Sequence, residues 1–218
     1  PELHDDAALI REQADRCRDI LRDMGRAGKD DLHMRQAPLI AVVEEAAEPH
    51  LMRGKSVDFE HMKNADDQPM ILRKPEIIHG LRNLIQNAVD FARSSVKVEI
   101  DWSETSVSVR ILDDGRGFPA HLIGRIGDPF VRRRRSFDDK RRRPEYEGMG
   151  LGLFIAKTLL ERSGAELSFA NGGDPYEPAD SAAPFSGAIV EVTWHRDTVD
   201  PTRTDTPVGI GQNQPIVT

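Results

Sequence analysis

The stretch Glu147-Gly-Met-Gly-Leu-Gly-Leu-Phe-Ile-Ala-Lys157 constrains this chain more than any other. Gly148, Gly150 and Gly152 alternate, then give way to an apolar periodic segment in which Leu151, Phe154, Ile155, Leu159 and Leu160 share one helical face. The pattern requires a loop that turns into a helix. Glycine lets the backbone adopt positive φ and come close to a ligand, and a helix start offers unpaired N–H groups at a positive dipole end. That combination suits a polyphosphate. It also suits a mobile surface loop before an ordinary core helix, so the rest of the chain has to decide.

Whole-chain properties narrow the options. Of 218 residues 38% are apolar, enough for a real core. The longest apolar run is Leu39-Ile-Ala-Val-Val43, against the roughly 20 residues a membrane span needs, and no signal-peptide pattern opens the chain, so a soluble cytoplasmic fragment is expected. The single cysteine, Cys17, excludes an internal disulfide and any multi-cysteine metal site and fits a reducing compartment; the histidines show no ligand spacing. Arg132–Arg143 carries eight basic and two acidic residues, a local +6 in a chain of −7, so the remainder is −13. An acidic body argues against a general nucleic-acid surface, which leaves the basic run as a local anion contact or a solvated loop.

Taken in order, Leu3, Ala7, Ile10, Ala14, Cys17, Leu21 and Met24 step by fours and threes, a heptad seam on a helix that needs a partner helix, from another copy or from upstream. Gly25–Asp31 reads as a linker. A helix is expected from Ala37 to about Met52, broken only by Pro49, then a short strand at Val57–Glu60. Glu76–Ala92, preceded by Pro75, is the strongest helix, with Asn83, Asn87 and Asp90 on its polar face. Val96–Ile100 and Val107–Ile111 form a hairpin, and Asp113-Asp-Gly-Arg-Gly-Phe118 ends its second strand. Only a brief helix at Leu122–Ile126 is expected before Glu147, and so long an irregular segment is usually functional or mobile. Gly164 closes the glycine-rich helix, strands follow at Glu166–Phe169 and Ala188–Trp194, and residues 197–218 read as a disordered tail. The fold class predicted is α/β, a two-layer sandwich in which helices cover one face of a mixed, largely antiparallel sheet.

Asn83, Asn87 and Asp90 project from one helical face. Helix-surface asparagines are commonly just solvated, yet a neutral oxygen ligand on a rigid helix also suits a magnesium ion that keeps several waters and bridges phosphates. Asp113 at a strand end, followed by Gly115 and Gly117, sets a carboxylate beside backbone that a flat ring could approach, although Asp-Gly turns are common by themselves. The order of the three features is the informative part: asparagine helix, Asp-Gly strand end, glycine-rich helix start.

From about Gln36 to Trp194 the chain resembles the ATP-binding catalytic domain of bacterial sensor histidine kinases, which have the histidine kinase/Hsp90-type fold. Asn83-Leu-Ile-Gln-Asn-Ala88 matches the N box, Asp113–Phe118 the first glycine box, Asp128-Pro-Phe130 the F box, and Gly148-Met-Gly-Leu-Gly-Leu153 the second glycine box. The resemblance implies ATP and Mg2+ as cofactors, with Asn87 as the metal ligand, Asn83 on phosphate or water, Asp113 on the adenine amino group and Gly117 against the ring. Gly148, Gly150 and Gly152 would turn backbone amides to the phosphates, Gly115, Phe130 and Leu153 would belong to the same site, and residues 119–147 would be the lid. It also implies a division into residues 1–30, the second helix of a dimerisation hairpin with its linker, and residues 31–196, the catalytic domain.

Two departures stand out. Many members of the family carry a cation where Asp90 stands, which makes the arginine run the expected replacement. His4-Asp-Asp-Ala-Ala-Leu lacks the proline of the family's phosphoacceptor motif, so the acceptor histidine is expected upstream. Asp15–Asp31 resembles the redox-box region of RegB/PrrB global redox-sensing kinases, which implies a redox-responsive Cys17, a homodimer, a RegA/PrrA-type response regulator as partner and an inner-membrane parent protein. Rival readings are a related ATPase or serine kinase of the same fold, and a nucleotide-gated dimerisation module.

Overall fold

The structure, a computed structural model, describes residues 36–61, 63–126, 151–173 and 185–203. Its elements are β1 (Gln36–Pro38), α1 (Leu39–Ala47), β2 (Ser56–His61), β3 (Met70–Leu72), α2 (Pro75–Phe91), β4 (Ser95–Trp102), β5 (Ser106–Asp113), α3 (Leu151–Arg162), β6 (Ala165–Asn171), β7 (Ala188–His195) and the single turn α4 (Arg196–Val199). Five strands form one sheet in the order β2-β4-β5-β7-β6, parallel between β2 and β4 and antiparallel elsewhere. The mixed, largely antiparallel sheet expected from the sequence is therefore present, with β5 at its centre.

Alternation makes the inner strands β4, β5 and β7 two-sided, apart from the buried end of β5 at Ile111–Asp113. Val96, Val98, Ile100 and Trp102 of β4, Val107, Val109 and Ile111 of β5, and Val190, Val192 and Trp194 of β7 are all buried. Several intervening positions carry charge: Lys97 pairs with Glu60 and Glu99, and Glu99 also takes Arg110. Such part-exposed pairs add little stability but keep that face wet. The buried face is covered by helices. Leu39, Val42, Val43 and Ala46 of α1, Ile77, Leu81, Leu84 and Ile85 of α2, and Ala156 and Leu160 of α3 complete a single core cluster. α2 lies between α1 and α3 and contacts both.

The spacing between α2 and α3 is set by one residue. A Cβ placed on Gly80 would lie 2.5 Å from Leu160 Cγ, so glycine there lets the two helices approach closely. Gly164, at φ +92°, ends α3 in the left-handed conformation that the sequence assigned to it.

Several expectations need correcting. The helix expected from Ala37 begins at Leu39, because Gln36–Pro38 pairs antiparallel with Met70–Leu72 as a separate two-stranded ribbon, with Pro38 opposite Met70. It ends at Ala47 and tightens into a 3-10 turn over Glu48–His50, as Pro49 cannot donate an α-helical hydrogen bond. The short strands β1 and β3 were not anticipated. Finally, the disordered tail expected from residue 197 is corrected over Asp197–Arg203. Arg196–Val199 is helical, Val199 and Asp200 are buried, and Asp200 accepts from Arg196 Nε at 3.1 Å and Thr202 N at 3.0 Å.

Candidate functional site

Asp113 ends the central strand and is 3% exposed. Its Oδ1 accepts from Gly115 N at 2.8 Å and from Ala188 N at 3.1 Å, and its main-chain oxygen accepts from Gly187 N at 3.0 Å. Neither side-chain bond uses Oδ2. Burial pushes the carboxyl pKa up, the two backbone N–H groups pull it part of the way back, and the neighbouring Asp114 charge adds to the rise. Such a carboxylate is short of donors and gains from a ligand that brings one.

Glycine is obligatory around it. A Cβ on Gly187 would fall 2.1 Å from Asp113 Oδ1 and 2.6 Å from Gly115 N, and one on Gly115 would fall 2.4 Å from the Phe91 carbonyl oxygen. The C-terminal end of α2 is thus pressed against the turn that follows β5. Asp114 fastens the same junction. Its Oδ1 accepts from Arg93 N at 2.7 Å and Ser94 N at 3.0 Å, while Oδ2 accepts from Ser94 Oγ at 2.5 Å. Burial opposes ionisation of Asp114, but the Ser94 hydroxyl and the backbone N–H groups outweigh it and hold the pKa at about 2. The stability this contributes is complete above the ordinary aspartate value of 3.8 and is lost as pH falls through about 2.

Beyond the turn, Gly117 sits at φ +70° and hands the chain to Phe118. Asn171, at the end of β6, brackets Phe118: its Oδ1 accepts from Phe118 N at 2.7 Å and its Nδ2 donates to Phe118 O at 2.8 Å. An amide that pairs with both backbone groups of one residue acts as an extra strand residue, and it fixes where the chain leaves the Asp-Gly turn.

One turn back along α2, about 6 Å on the helix axis, a second group assembles. Asn83 is buried and Asn87 half-buried. Asn87 Nδ2 donates to Asn83 O at 2.7 Å, which fixes the amide and leaves Oδ1 as its ligand atom. A Cβ on Gly152 would lie 3.2 Å from Asn87 Nδ2 and 3.4 Å from Oδ1, so the first turn of α3 abuts Asn87. Asp90 pairs with Arg53 at 3.0 Å, and Phe91, whose carbonyl oxygen faces Gly115 of the Asp113 turn, is 56% exposed. Among the described residues no group of three or more His, Cys, Asp or Glu could hold a metal ion. A single neutral oxygen fits magnesium that keeps its waters and shares phosphate oxygens, and does not fit a fully caged ion.

The structure brings together Asn83, Asn87 and Gly152 in one group and Asp113, Gly115 and Gly117 in the other. Leu153 is partly buried and packs against the core cluster. Phe130, Gly148, Gly150 and Cys17 lie outside the described residues. Sequence reasoning missed Gly187, Asn171, Asp114 and Phe91. Asp114 and Phe91 stand inside or beside the quoted motifs and could have been found there; Gly187 ends the Pro/Gly/Ala-rich loop that the sequence places between Gly172 and Gly187, and no local pattern marks Asn171.

Residues 73–198 match the family model described as histidine kinase-, DNA gyrase B-, and HSP90-like ATPase. The chain is 66% identical over 200 residues to sensor histidine kinase RegB of Cereibacter sphaeroides, which covers 90% of this chain and 43% of that protein. It therefore spans less than half the length of this relative. Among solved structures, the mycobacterial sensor histidine kinase MprB superposes with a TM-score of 0.55 at 19% identity, over 73% of this chain and 97% of that one. The nucleotide-free catalytic domain of histidine kinase ThkA gives 0.54 at 21% identity, over 73% and 95%. These last two establish likeness of fold.

Proposed function

We propose, for a chain that belongs to the histidine kinase-, DNA gyrase B-, and HSP90-like ATPase family, that it is the ATP-binding catalytic part of a sensor histidine kinase of the RegB type. The observation that carries the reading is Asp113. A buried carboxylate with both its side-chain bonds on Oδ1 has Oδ2 left to accept from the adenine amino group, and exposed Phe91, whose carbonyl faces Gly115 of the same turn, would offer its ring to a base. Gly117 gives the ring close access. Asn87 Oδ1 and the start of α3 at Gly152 would meet the phosphates and Mg2+, with Asn83 on phosphate or water. Bound Mg2+ would supply charge neutralisation. The proposed division is residues 1–30 as the second dimerisation helix and linker, residues 31–196 as the catalytic domain and about 119–147 as its lid, with Phe130, Gly148 and Gly150 in the nucleotide site.

In the reaction an imidazole nitrogen of a histidine upstream of this chain attacks the γ-phosphorus. The bond from that phosphorus to the bridging oxygen breaks, ADP leaves with the electron pair, and the imidazole N–H proton goes to solvent. This chain's part is to hold the nucleotide in place and balance its charge rather than to form a covalent bond itself. The phosphoryl group then passes to a RegA/PrrA-type response regulator. The parent would be a homodimer through its dimerisation helices, anchored in the bacterial inner membrane by segments outside this chain; among the described residues no helix is long and apolar enough to span a membrane. The test is γ-labelled ATP with Mg2+. The chain alone is expected to bind ATP without labelling itself, and to label an added dimerisation fragment bearing the acceptor histidine. Acid-labile label on His4, or none on the added fragment, would overturn the reading.

Redox control through Cys17 belongs to the same proposal. Arg16 and Arg18 flank the thiol and favour the thiolate, and a seam that pairs helices between chains could bring two copies of Cys17 together. Mild oxidation is expected to give a dimer band on non-reducing gels and a loss of kinase activity, both absent in Cys17→Ala. Equal activity of the two proteins, with no dimer and no sulfenic acid, would leave Cys17 as packing.

A further inference from the structure

We infer that Asn171 is the positioning residue that sets the width of the proposed adenine slot, because it ties the far end of the Asp113–Phe118 turn to the strand pair that holds its near end. The inference rests on the nucleotide reading above and adds to it a residue that acts through Gly117 and Phe118. The near end is Asp113, whose Oδ1 accepts from Ala188 N at 3.1 Å. The far end is Phe118, whose N–H donates to Asn171 Oδ1 at 2.7 Å and whose carbonyl oxygen accepts from Asn171 Nδ2 at 2.8 Å. Asn171 and Ala188 are partners in the antiparallel register of β6 and β7. One cross-strand pair therefore holds both ends of the turn, and opening the turn costs at least one of these bonds.

The surroundings of Gly117 favour the same role. A Cβ on it would lie 2.6 Å from Asn171 Oδ1 and 2.9 Å from Asn171 Cγ, so the amide is packed against the Gly117 main chain. Phe118 is held a second time through its ring, which meets the Phe169 ring edge-on, with 6.0 Å between centroids and 83° between planes. Phe169 stands two residues before Asn171, on the same face of β6. Past Asn171 the two strands stay joined, since Gly172 N donates to Gly187 O at 2.9 Å and Gly173 N to Ser186 O at 3.1 Å. In the nucleotide reading Asp113 Oδ2 takes the amino group and Gly117 lies against the ring, and Asn171 fixes the spacing between those two contacts. A slot held at the right width binds more tightly, because less ordering is left for the ligand to impose.

The experiment is calorimetry of Mg-ATP, Mg-ADP and adenosine on the 218-residue chain, parent against Asn171→Ala and Asn171→Asp, each well below its melting temperature. Asn171→Ala is expected to weaken all three ligands by one common factor of about tenfold, because the defect lies at the base end. Asn171→Asp has the same size and keeps an acceptor for Phe118 N, but sets a second acceptor where Phe118 O needs a donor. It is expected to lose as much at pH 7, which separates hydrogen bonding from packing. In the parent, the nuclear magnetic resonance signals of the Phe118 amide and the Asn171 side-chain NH2 should shift with adenosine as they do with Mg-ATP. Affinities equal to the parent's in folded variants, a loss confined to ATP and ADP, or Phe118 and Asn171 signals unmoved by saturating adenosine would overturn the role of Asn171 while leaving the nucleotide reading intact. If neither variant folds, the signals of the parent decide. No binding of any adenine ligand by the parent would overturn both.

Discussion

Asp113→Asn is expected to weaken ATP on the order of 100-fold while leaving the empty protein at least as stable at pH 7 as the parent. The first part follows from hydrogen-bond polarity. Asparagine can keep Oδ1 on Gly115 N and Ala188 N, which then turns its NH2 donor toward the position proposed to accept from the ligand's amino group. Losing a bond to a charged acceptor and leaving a donor unmatched costs about 2–3 kcal/mol. The second part follows from linkage. The folded state raises the Asp113 pKa above the ordinary 3.8, mainly through burial, so protonation favours the fold. That contribution is complete below 3.8 and is lost as pH rises through the raised folded value, which makes the ionised carboxylate a net cost to the empty fold at neutral pH. The amide removes the cost. The same linkage predicts that the parent's ATP affinity falls as pH drops toward the Asp113 pKa, and that this dependence disappears in the variant. Titration with ATP and GTP together with thermal melts at pH 7 provides the check: undiminished ATP affinity, or a clearly lower melting temperature, would contradict the assignment.

Gly187→Ala is expected to abolish nucleotide binding and to lower the melting temperature by roughly 10 °C, corresponding to about 3 kcal/mol of overpacking against groups that cannot move aside. The new methyl group would strike Asp113 Oδ1, Asp113 O and Gly115 N, the last two being backbone. Relief requires β7 to separate from β5 or the Asp113 turn to shift, and either change removes the carboxylate from its place. The variant can be followed by circular dichroism melts and ATP titration beside the unaltered protein, and a Gly187→Ala protein that melts and binds like it would show that the turn is looser than the geometry describes.

The contrast between Asp113 and Gly187 marks how far the sequence could be read. Periods of 3.6 and 2 located α2, α3 and the four antiparallel strands, because each buries one face against the shared core and so carries its own pattern. Asp113, Gly115 and Gly117 were legible for a related reason: strand end, carboxylate and glycines are adjacent in the chain. Gly187 and Asn171 were not, since their importance lies in what reaches them from 74 and 53 residues away, and a glycine in a Pro/Gly/Ala-rich stretch or an asparagine at a strand end has many ordinary explanations. Pro38 was misplaced into a helix because apolar periodicity continues through it, while its pairing with β3 depends on a partner with only three residues.

The pairing of β5 with β7 also orders events in time. During synthesis the chain emerges from its N-terminal side at roughly 5–20 residues per second, so Asn87, Asp113 and Gly152 have all been made before Ala188 exists. Until β7 aligns with β5, Asp113 lacks one of the two donors on Oδ1 and the Gly187 contact that encloses it. A nascent chain carrying every nucleotide motif is therefore still without the finished Asp113 turn, and, with adenine proposed to bind there, ATP would not act as a template for the early steps of its own pocket. Ligand can reward only the closing of the sheet, so ATP is expected to slow the detachment of β7 from the finished protein rather than to speed the hairpin of β4 and β5.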